Sequence, residues 1–219
     1  METTEKDFMV HDIVLQIILI LLMVFMFLYM HDIPKKLFAK LRLRNRSEVQ
    51  AKRHFVQGAQ LLARARSSKS RSASNSLAKE AVAEAEKAIA LDPKDAAAYL
   101  LKALALDLQG YRPSALDSID MALSPLAVKS LADNEKGDAL LKRAEMKMAM
   151  NDRGRLDSAL ADLTESVKLN SKNVRTFCLL GQCYEAKKMK EEARKAYEEA
   201  LQIEPQSDVA QEALKSLDS

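Results

Sequence analysis

Residues that break helices are scarce in this chain. Its 219 residues include only five glycines and five prolines, and Pro93, Pro125 and Pro205 each follow a stretch of helical periodicity. Outside the basic segment after residue 30, no stretch alternates between apolar and polar residues over a strand's length. The composition is alanine-rich and 48% hydrophobic, which favours closely packed helices. These features predict an all-α protein.

Cysteine is also rare, with only two residues of this type. Cys178 and Cys183 fall on one predicted helix and point about 140° apart around its axis. Neither their spacing nor their orientation suits a disulfide bond or a pair of zinc ligands. We interpret them as two small apolar residues in a reducing compartment.

Catalytic patterns are missing as well. The sequence contains no G-x-S-x-G motif, no glycine-rich phosphate loop and no evident pair of catalytic carboxylates. His54 is the only histidine between residues 51 and 219. The two His-Asp pairs at 11–12 and 31–32 flank an uncharged run at opposite ends, so they cannot meet across a bilayer to bind a metal. We predict a protein that is not an enzyme and has no metal or cofactor.

The run at residues 13–30 contains no charged side chain in 18 residues. As a helix it would reach about 27 Å, close to the thickness of the hydrocarbon layer of a membrane. A buried core helix would keep a polar face, and a cleaved signal peptide would begin with basic residues and end with small ones. Neither pattern is present. The sequence predicts a transmembrane anchor at 13–30, preceded by a short non-cytosolic N-terminus at 1–12.

Charge is distributed unevenly around this run. Residues 1–12 carry one basic and four acidic side chains, whereas residues 31–53 carry eight basic and two acidic ones. Basic flanks stay in the cytosol, so the remainder of the chain should face it. Residues 54–219 have no net charge, so the basicity belongs to a juxtamembrane linker at 31–50. We expect this linker to lie near anionic lipid headgroups, and we expect no binding of nucleic acid.

The segment 174–205 has the pattern of two packed helices. Its positions are Phe177, Leu180, Gly181 and Tyr184 on the first helix, Ala193, Tyr197 and Ala200 on the second, and then Pro205. In these residues the chain resembles the tetratricopeptide repeat (TPR) family, in which large residues of one helix pack against small residues of its neighbour. The resemblance implies a groove that binds protein rather than a catalytic site.

Weaker copies of the repeat are predicted upstream. They lie at 96–125 and 138–173, and the most degenerate one begins near Phe55. The turn at 151–154 in the third copy is longer than the family norm. The complete region with repeats is predicted to cover residues 51–219.

Two further segments complete the predicted architecture. The Ser-, Lys- and Arg-rich stretch 67–77 is predicted to be a mobile loop within the first copy, because nothing in it can be buried. Apolar residues recur at helical spacing in 207–218, which predicts a capping helix. The prediction is an all-α, TPR-type helical-hairpin solenoid of three to four repeats with this cap and one N-terminal transmembrane helix.

The resemblance also implies which residues form the groove. In this family the inner face is lined by the first helix of each pair. The corresponding residues here are Val56, Gln60, Leu100, Leu104, Asp107, Leu141, Glu145, Met148, Arg175, Cys178, Gln182 and Glu185. Many of them are apolar, so a partly apolar segment of a partner protein is the expected ligand.

One family ligand is not expected. Members that bind the acidic C-terminal tails of heat-shock chaperones use a clamp of Lys, Asn and Arg residues. In one register those positions hold Val56, Gln60, Leu101, Asp138 and Lys142. In the next they hold Leu100, Leu104, Lys142, Arg175 and Leu179. Neither register keeps the carboxylate clamp.

The Ser-rich stretch is also a candidate for phosphorylation. Ser67 and Ser74 each follow an arginine, Arg64 and Arg71, by three residues. Kinases that prefer basic substrates recognise this spacing, and a phosphate would reduce the local positive charge.

Three functions fit these features. The first is a membrane-anchored adaptor or scaffold on an endomembrane, chiefly the endoplasmic reticulum, whose cytosolic TPR groove binds a partner. The second is an organelle protein-import receptor on the mitochondrial outer membrane, which shares the same layout of segments. The third is a constitutive structural subunit of a membrane complex.

Overall fold

The computed structural model describes residues 2–30, 33–150 and 153–218, with side chains for 13–27, 29–30, 46–150 and 154–217. All regular elements in these residues are helical. The helices are α1 (Glu2–Met30), α2 (Ile33–Ser67), α3 (Arg71–Leu91), α4 (Ala96–Leu108), α5 (Arg112–Ala122), a 3₁₀ helix (Val128–Ser130), α6 (Asp133–Ala149), α7 (Arg153–Leu169), α8 (Val174–Ala186), α9 (Lys190–Ile203) and α10 (Asp208–Asp218). They divide into two units, Met1–Val49 and Gln50–Ser219.

The first unit contains α1 and the beginning of α2. The described side chains of α1 are exposed, including those of Leu15 and Met23. Within the described part of the chain, no helix reaches the length and apolarity needed to cross a membrane. The predicted anchor at 13–30 includes Leu28, whose side chain lies outside the described residues. The predicted linker at 31–50 is helical from Ile33 onward.

The second unit is built from helices that pack on their neighbours in sequence. Every consecutive pair from α3 to α10 is in contact, and α2 joins this stack where Leu62 meets Ala81 and Ala85 of α3. Such nearest-neighbour packing defines a solenoid, in which each helix pair buries its apolar side against the next pair. The second unit is therefore an all-α, TPR-like solenoid.

Alanine allows the helices of this solenoid to approach closely. Four alanines at spacings of three or four residues form the buried stripe of α3, Ala78, Ala81, Ala85 and Ala88. Small residues on one helix receive large ones from the next, and Ile119, Leu163 and Tyr197 are fully buried. Burial of one such large side chain contributes about 2 kcal/mol to folding, so a thin core repeated along the stack is sufficient.

Capping residues fix several helix ends. The Asp95 carboxylate accepts the amide of Ala97 at 3.0 Å, and the Asn173 side chain accepts that of Thr176 at 3.4 Å. Gly110, between α4 and α5, has φ = 88°, and Lys188, between α8 and α9, has φ = 61°. These two turns therefore use the same left-handed conformation to bring the second helix back onto the first.

The prediction of a mobile loop at 67–77 is wrong. Helix α2 continues to Ser67 and α3 begins at Arg71, so residues 68–70 alone connect them. Ser70 caps α3, because its hydroxyl oxygen accepts the amide of Ala73 at 3.5 Å. The Ser-rich residues form the first turns of a helix that is stabilised further along by its buried alanines, so they need no burial themselves.

Other boundaries shift by smaller amounts. Helix α6 begins at Asp133 rather than at Asp138, because Glu135 accepts the amide of Ala132 at 2.8 Å and closes the first turn. In the predicted turn at 151–154, residues 151 and 152 lie outside the described residues, and α7 begins at Arg153. The predicted capping helix at 207–218 corresponds to α10.

Candidate functional site

A chain of ion pairs connects α4, α5, α6 and α8. The Arg175 Nη2 atom lies 2.7 Å from Glu145 Oε1, and Lys142 Nζ lies 3.3 Å from Glu145 Oε2. Lys142 Nζ also lies 3.0 Å from Asp107 Oδ2, and Arg112 Nε lies 4.0 Å from Asp107 Oδ1. We call these five residues the ion chain. All four carboxylate oxygens are engaged, and three cations face two anions.

An apolar cavity of about 520 Å³ lies on one side of the ion chain. We call it the leucine cavity, because Leu100, Leu104, Leu131 and Leu141 line it. Leu100 and Leu104 are one turn apart on α4 and therefore face the same side. Arg66, Glu135 and Asp138 contribute charged groups to its lining. The cavity offers a site for apolar side chains surrounded by charges of both signs.

A second cavity of about 670 Å³ lies between α6, α8 and the start of α10. We call it the valine cavity, and its apolar lining is Met146, Ala149, Val174, Cys178, Leu179 and Val209. Lys142, Glu145 and Arg175 line both cavities, so the ion chain forms their shared wall. Helix α10 thus helps to form the groove in addition to covering the end of the solenoid.

Cys178 belongs to the apolar wall of the valine cavity. Its side chain is buried, and this burial raises the pKa of the thiol above its ordinary value. A thiol that stays protonated is a poor nucleophile and a poor metal ligand. In the part of the chain that the structure describes, no cluster of three or more potential metal-ligating side chains occurs.

The structure places eight of the twelve predicted groove residues on these two cavities. They are Leu100, Leu104, Asp107, Leu141, Glu145, Arg175, Cys178 and Gln182. They come together because each follows the same face of α4, α6 or α8, where residues three or four apart are neighbours.

The other four predicted residues lie elsewhere. Gln60 lines a separate cavity of about 340 Å³ between α2 and α3. Val56 is 50% exposed and lines none of the three cavities. Met148 packs into the core formed by α6, α7 and α8, and Glu185 accepts a hydrogen bond from the hydroxyl of Tyr197 at 2.5 Å. Both side chains contact a neighbouring helix instead of lining the two cavities.

Gln60 has a charged neighbourhood. In the same cavity, Glu84 lies 2.6 Å from the ammonium of Lys87, and its other oxygen lies 2.6 Å from His54 Nδ1. These hydrogen bonds, chiefly that from Lys87, lower the pKa of Glu84 below its ordinary value of 4.5. The cluster joins α2 to α3 and lies apart from the ion chain.

Several groove residues were not predicted. They are Arg66 at the end of α2, Leu131 in a connection and Arg112 at the start of α5. The prediction considered only the first helix of each repeat, so it could not find these residues. The position of Lys142 near Glu145 could be predicted from sequence, since residues three apart are neighbours on a helix surface. Its role in joining α4 to α6 depends on tertiary packing.

A second ion cluster lies away from the groove. Asp162 on α7 accepts hydrogen bonds from Arg143 Nη2 at 2.6 Å and from Lys147 Nζ at 2.6 Å. Arg143 also reaches Asp120 on α5 at 2.8 Å. The Asp162 side chain is only 7% exposed. These contacts join α5, α6 and α7 and support the wall of the groove from behind.

The two predicted phosphorylation sites differ in their surroundings. Ser67 is exposed at the end of α2, and its hydroxyl donates to the carbonyl of Arg64 at 3.1 Å. Ser74 is half-buried in the first turn of α3. Ser67 is therefore the more accessible of the two hydroxyl groups.

Comparison with known proteins supports the repeat assignment. The family model described as tetratricopeptide repeat matches residues 174–207, which contain α8 and α9. No curated protein is similar enough in sequence to count as a relative. The resemblance to the TPR family therefore has a direct sequence match in the last repeat.

Solved structures extend this similarity to most of the chain. MamA from Desulfovibrio magneticus RS-1 superposes with a TM-score of 0.62 at 18% identity, covering 77% of this chain and 84% of that one. PilF of Pseudomonas aeruginosa gives 0.61 at 18% identity, covering 80% and 68%. A thermophilic TPR protein from Thermus thermophilus gives 0.54 at 19% identity, covering 76% and 80%. At these identities the similarity concerns the fold.

Proposed function

We propose that this chain is a membrane-anchored adaptor that holds a segment of a partner protein along the leucine and valine cavities. The observation that carries the proposal is the pair of adjoining cavities on successive repeats of a TPR-like solenoid. TPR-like solenoids use such elongated surfaces to bind other proteins. The adaptor would be a binding protein without catalytic activity, metal or cofactor.

The anchoring part of the proposal rests on the N-terminal sequence. The run at 13–30 is uncharged, and basic residues follow it while acidic residues precede it. In the proposed arrangement, residues 1–12 lie outside the cytosol and the solenoid lies within it. Holding two proteins on one membrane raises their effective concentration, so a groove of modest affinity would suffice.

Site-specific photo-crosslinking tests the groove. Gln182 is exposed on α8 and lines the valine cavity, whereas Glu198 is exposed on α9 away from both cavities. A photoreactive amino acid at position 182 should crosslink one reproducible partner in intact cells, and the same residue at position 198 should not. Equal crosslinking from the two positions, or none from position 182, would contradict the assignment of the groove.

A variant complements this experiment. Leu104→Glu would place a charge in the leucine cavity, which is costly for an apolar ligand. Partner capture should be lost while the variant stays on membranes with wild-type helical content. Met121→Glu is a matched control, because Met121 is 47% exposed on α5 and lines neither cavity. Capture that survives Leu104→Glu would argue against binding in this groove.

The membrane in question is proposed to be the endoplasmic reticulum. The anchor is very apolar, whereas anchors of mitochondrial outer-membrane receptors are usually milder. A proximity-labelling enzyme fused after Ser219 should label proteins on the cytosolic surface of the endoplasmic reticulum. Labelling dominated by mitochondrial translocase components would favour an import receptor, and labelling of lumenal proteins would reverse the proposed orientation.

A further inference from the structure

The arrangement of the two cavities around the ion chain indicates what kind of segment fits them. We propose that the ligand carries two apolar anchor residues about 10 Å apart and a carboxylate between them, which pairs with Arg175. This inference rests on the proposed function, since it specifies the segment that the groove would hold. Three observations support it.

The first observation is the separation of the cavities. The leucine cavity lies between α4 and α6, and the valine cavity lies between α6 and α8. The two are therefore about one interhelical distance apart, which is about 8 to 10 Å. In an extended polyproline-type segment three residues span about 9 Å, and in an α-helix seven residues span about 10 Å on one face.

The second observation is the chemistry of each cavity. The leucine cavity is lined by aliphatic side chains from α4, from α6 and from the connection at Leu131. The valine cavity is lined by the aliphatic side chains of Val174, Leu179 and Val209. Each cavity has space for at least one large apolar side chain. Their polar shared wall disfavours one continuous apolar surface, because an apolar ligand would remove the water that solvates these charged groups without replacing its hydrogen bonds.

The third observation is that Arg175, in the shared wall, has hydrogen-bond donors that its ion pair with Glu145 does not use. Both oxygens of Glu145 and of Asp107 already have cationic partners, and the ion chain keeps one net positive charge. Glu204 also lines the valine cavity, so the cation that is available to a ligand is the exposed guanidinium of Arg175 rather than the cavity as a whole. Arg175 is 73% exposed and uses only Nη2 in its ion pair with Glu145. Among the described residues, neither its Nη1 nor its Nε atom forms a hydrogen bond or an ion pair. A ligand carboxylate can therefore pair with Arg175 without displacing Glu145.

A peptide selection tests this proposal. The full-length protein, reconstituted in nanodiscs, would be screened against a display library of random sixteen-residue peptides. We expect enriched peptides to carry two large apolar residues separated by three or seven positions, with Asp or Glu between them. Enriched peptides with a single apolar anchor, or with a basic residue between the anchors, would overturn the proposal.

A double-mutant cycle isolates the carboxylate contact. Replacing the peptide carboxylate by its amide should weaken binding to the wild type about tenfold, since hydrogen bonds between charged groups contribute this much. The same change should have little effect on Arg175→Ala, while Arg175→Lys should keep part of the difference. Additive effects of the two changes would refute the pairing with Arg175.

Two cavity variants separate this inference from the proposed function. Val209→Asp alters an exposed residue of the valine cavity, and Leu104→Ala shortens a side chain in the leucine cavity. Both should weaken a two-anchor peptide about tenfold or more. If the selected peptides respond to one variant only, the two-anchor ligand is wrong and the groove stands. If they respond to neither, or if no peptide is selected, the proposed groove itself is wrong.

Discussion

Gly181 provides the space that the ring of Tyr197 occupies. A Cβ atom at position 181 would lie 2.5 Å from Cε1 and from Cζ of this ring. The ring cannot move aside, because it is fully buried and its hydroxyl donates to Glu185 Oε1 at 2.5 Å. The same burial, together with Glu185, raises the pKa of Tyr197 well above its usual range and keeps the hydroxyl a donor.

We therefore predict that Gly181→Ala lowers the free energy of unfolding by about 2 kcal/mol through overpacking. Urea unfolding followed by far-ultraviolet circular dichroism measures this loss. Gly58→Ala is the matched comparison, because the nearest atom there is the flexible Cδ2 of Leu101 at 2.9 Å. It should cost less. A loss at position 181 no larger than that at position 58 would show that the Tyr197 ring can yield.

Lys188 occupies a backbone conformation that suits glycine. Its φ of 61° matches the role of Gly110, whose φ is 88°, in the turn of an earlier repeat. A left-handed conformation costs an ordinary residue about 1 to 2 kcal/mol, and the greater flexibility of unfolded glycine offsets about half of this. Lys188→Gly should therefore raise the free energy of unfolding by about 0.5 kcal/mol. In the opposite direction, Gly110→Ala should reduce stability, although its Cβ would meet no atom within 4 Å. A neutral or destabilising Lys188→Gly would contradict this view of the turn.

At the scale of the helix, Asp162 holds three elements together. Its carboxylate is nearly buried between Arg143 and Lys147 of α6, and Arg143 continues to Asp120 of α5. Asp162→Asn would remove the anion that Arg143 and Lys147 share, leaving Arg143 with only the exposed Asp120 carboxylate as its anionic partner. We predict a loss of about 3 kcal/mol in the free energy of unfolding.

The matched control for this prediction is Asp120→Asn. The Asp120 side chain is 53% exposed and contacts the same arginine, so its removal should cost less than about 1 kcal/mol. Thermal unfolding of both variants distinguishes the two cases. Equal small losses would mean that Asp162 contributes no more than an exposed ion pair.

Helical periodicity predicted most helices of the solenoid. The prediction failed at 67–77, where it was based on composition rather than on periodicity. The spacing of Phe177, Gly181 and Tyr197 is a local pattern, so it predicted the packing of α8 against α9 without knowledge of the rest of the fold. The stretch 67–77 was predicted as a loop because it is rich in serine. Residues 71–77 are helical because the alanines that follow them pack on α2, and the serine-rich composition of the stretch itself does not show this contact.

At the scale of the whole molecule, the candidate site was only partly predictable. Residues on the first helices, such as Leu104 and Gln182, follow from the register of the repeat. Arg112 is the first residue of α5 and Leu131 lies in a connection between helices, and the positions of both depend on how the repeats stack. The ion chain was also not predicted, because Asp107 and Lys142 meet through packing of α4 against α6 rather than through spacing in sequence.

The proposed anchor at 13–30 predicts that this protein resides in a membrane. If 13–30 spans a bilayer, the protein should resist extraction from membranes by alkaline carbonate. Ile17→Arg with Leu21→Arg places two charges near the middle of the run, at a cost of about 3 kcal/mol each, and should release the protein. Ile17→Ala with Leu21→Ala is the matched control and should stay in the membrane fraction, because alanine brings no charge into the hydrocarbon. Extraction of the wild-type protein by carbonate, or retention of the arginine variant, would contradict a spanning anchor and leave the groove as the basis for function.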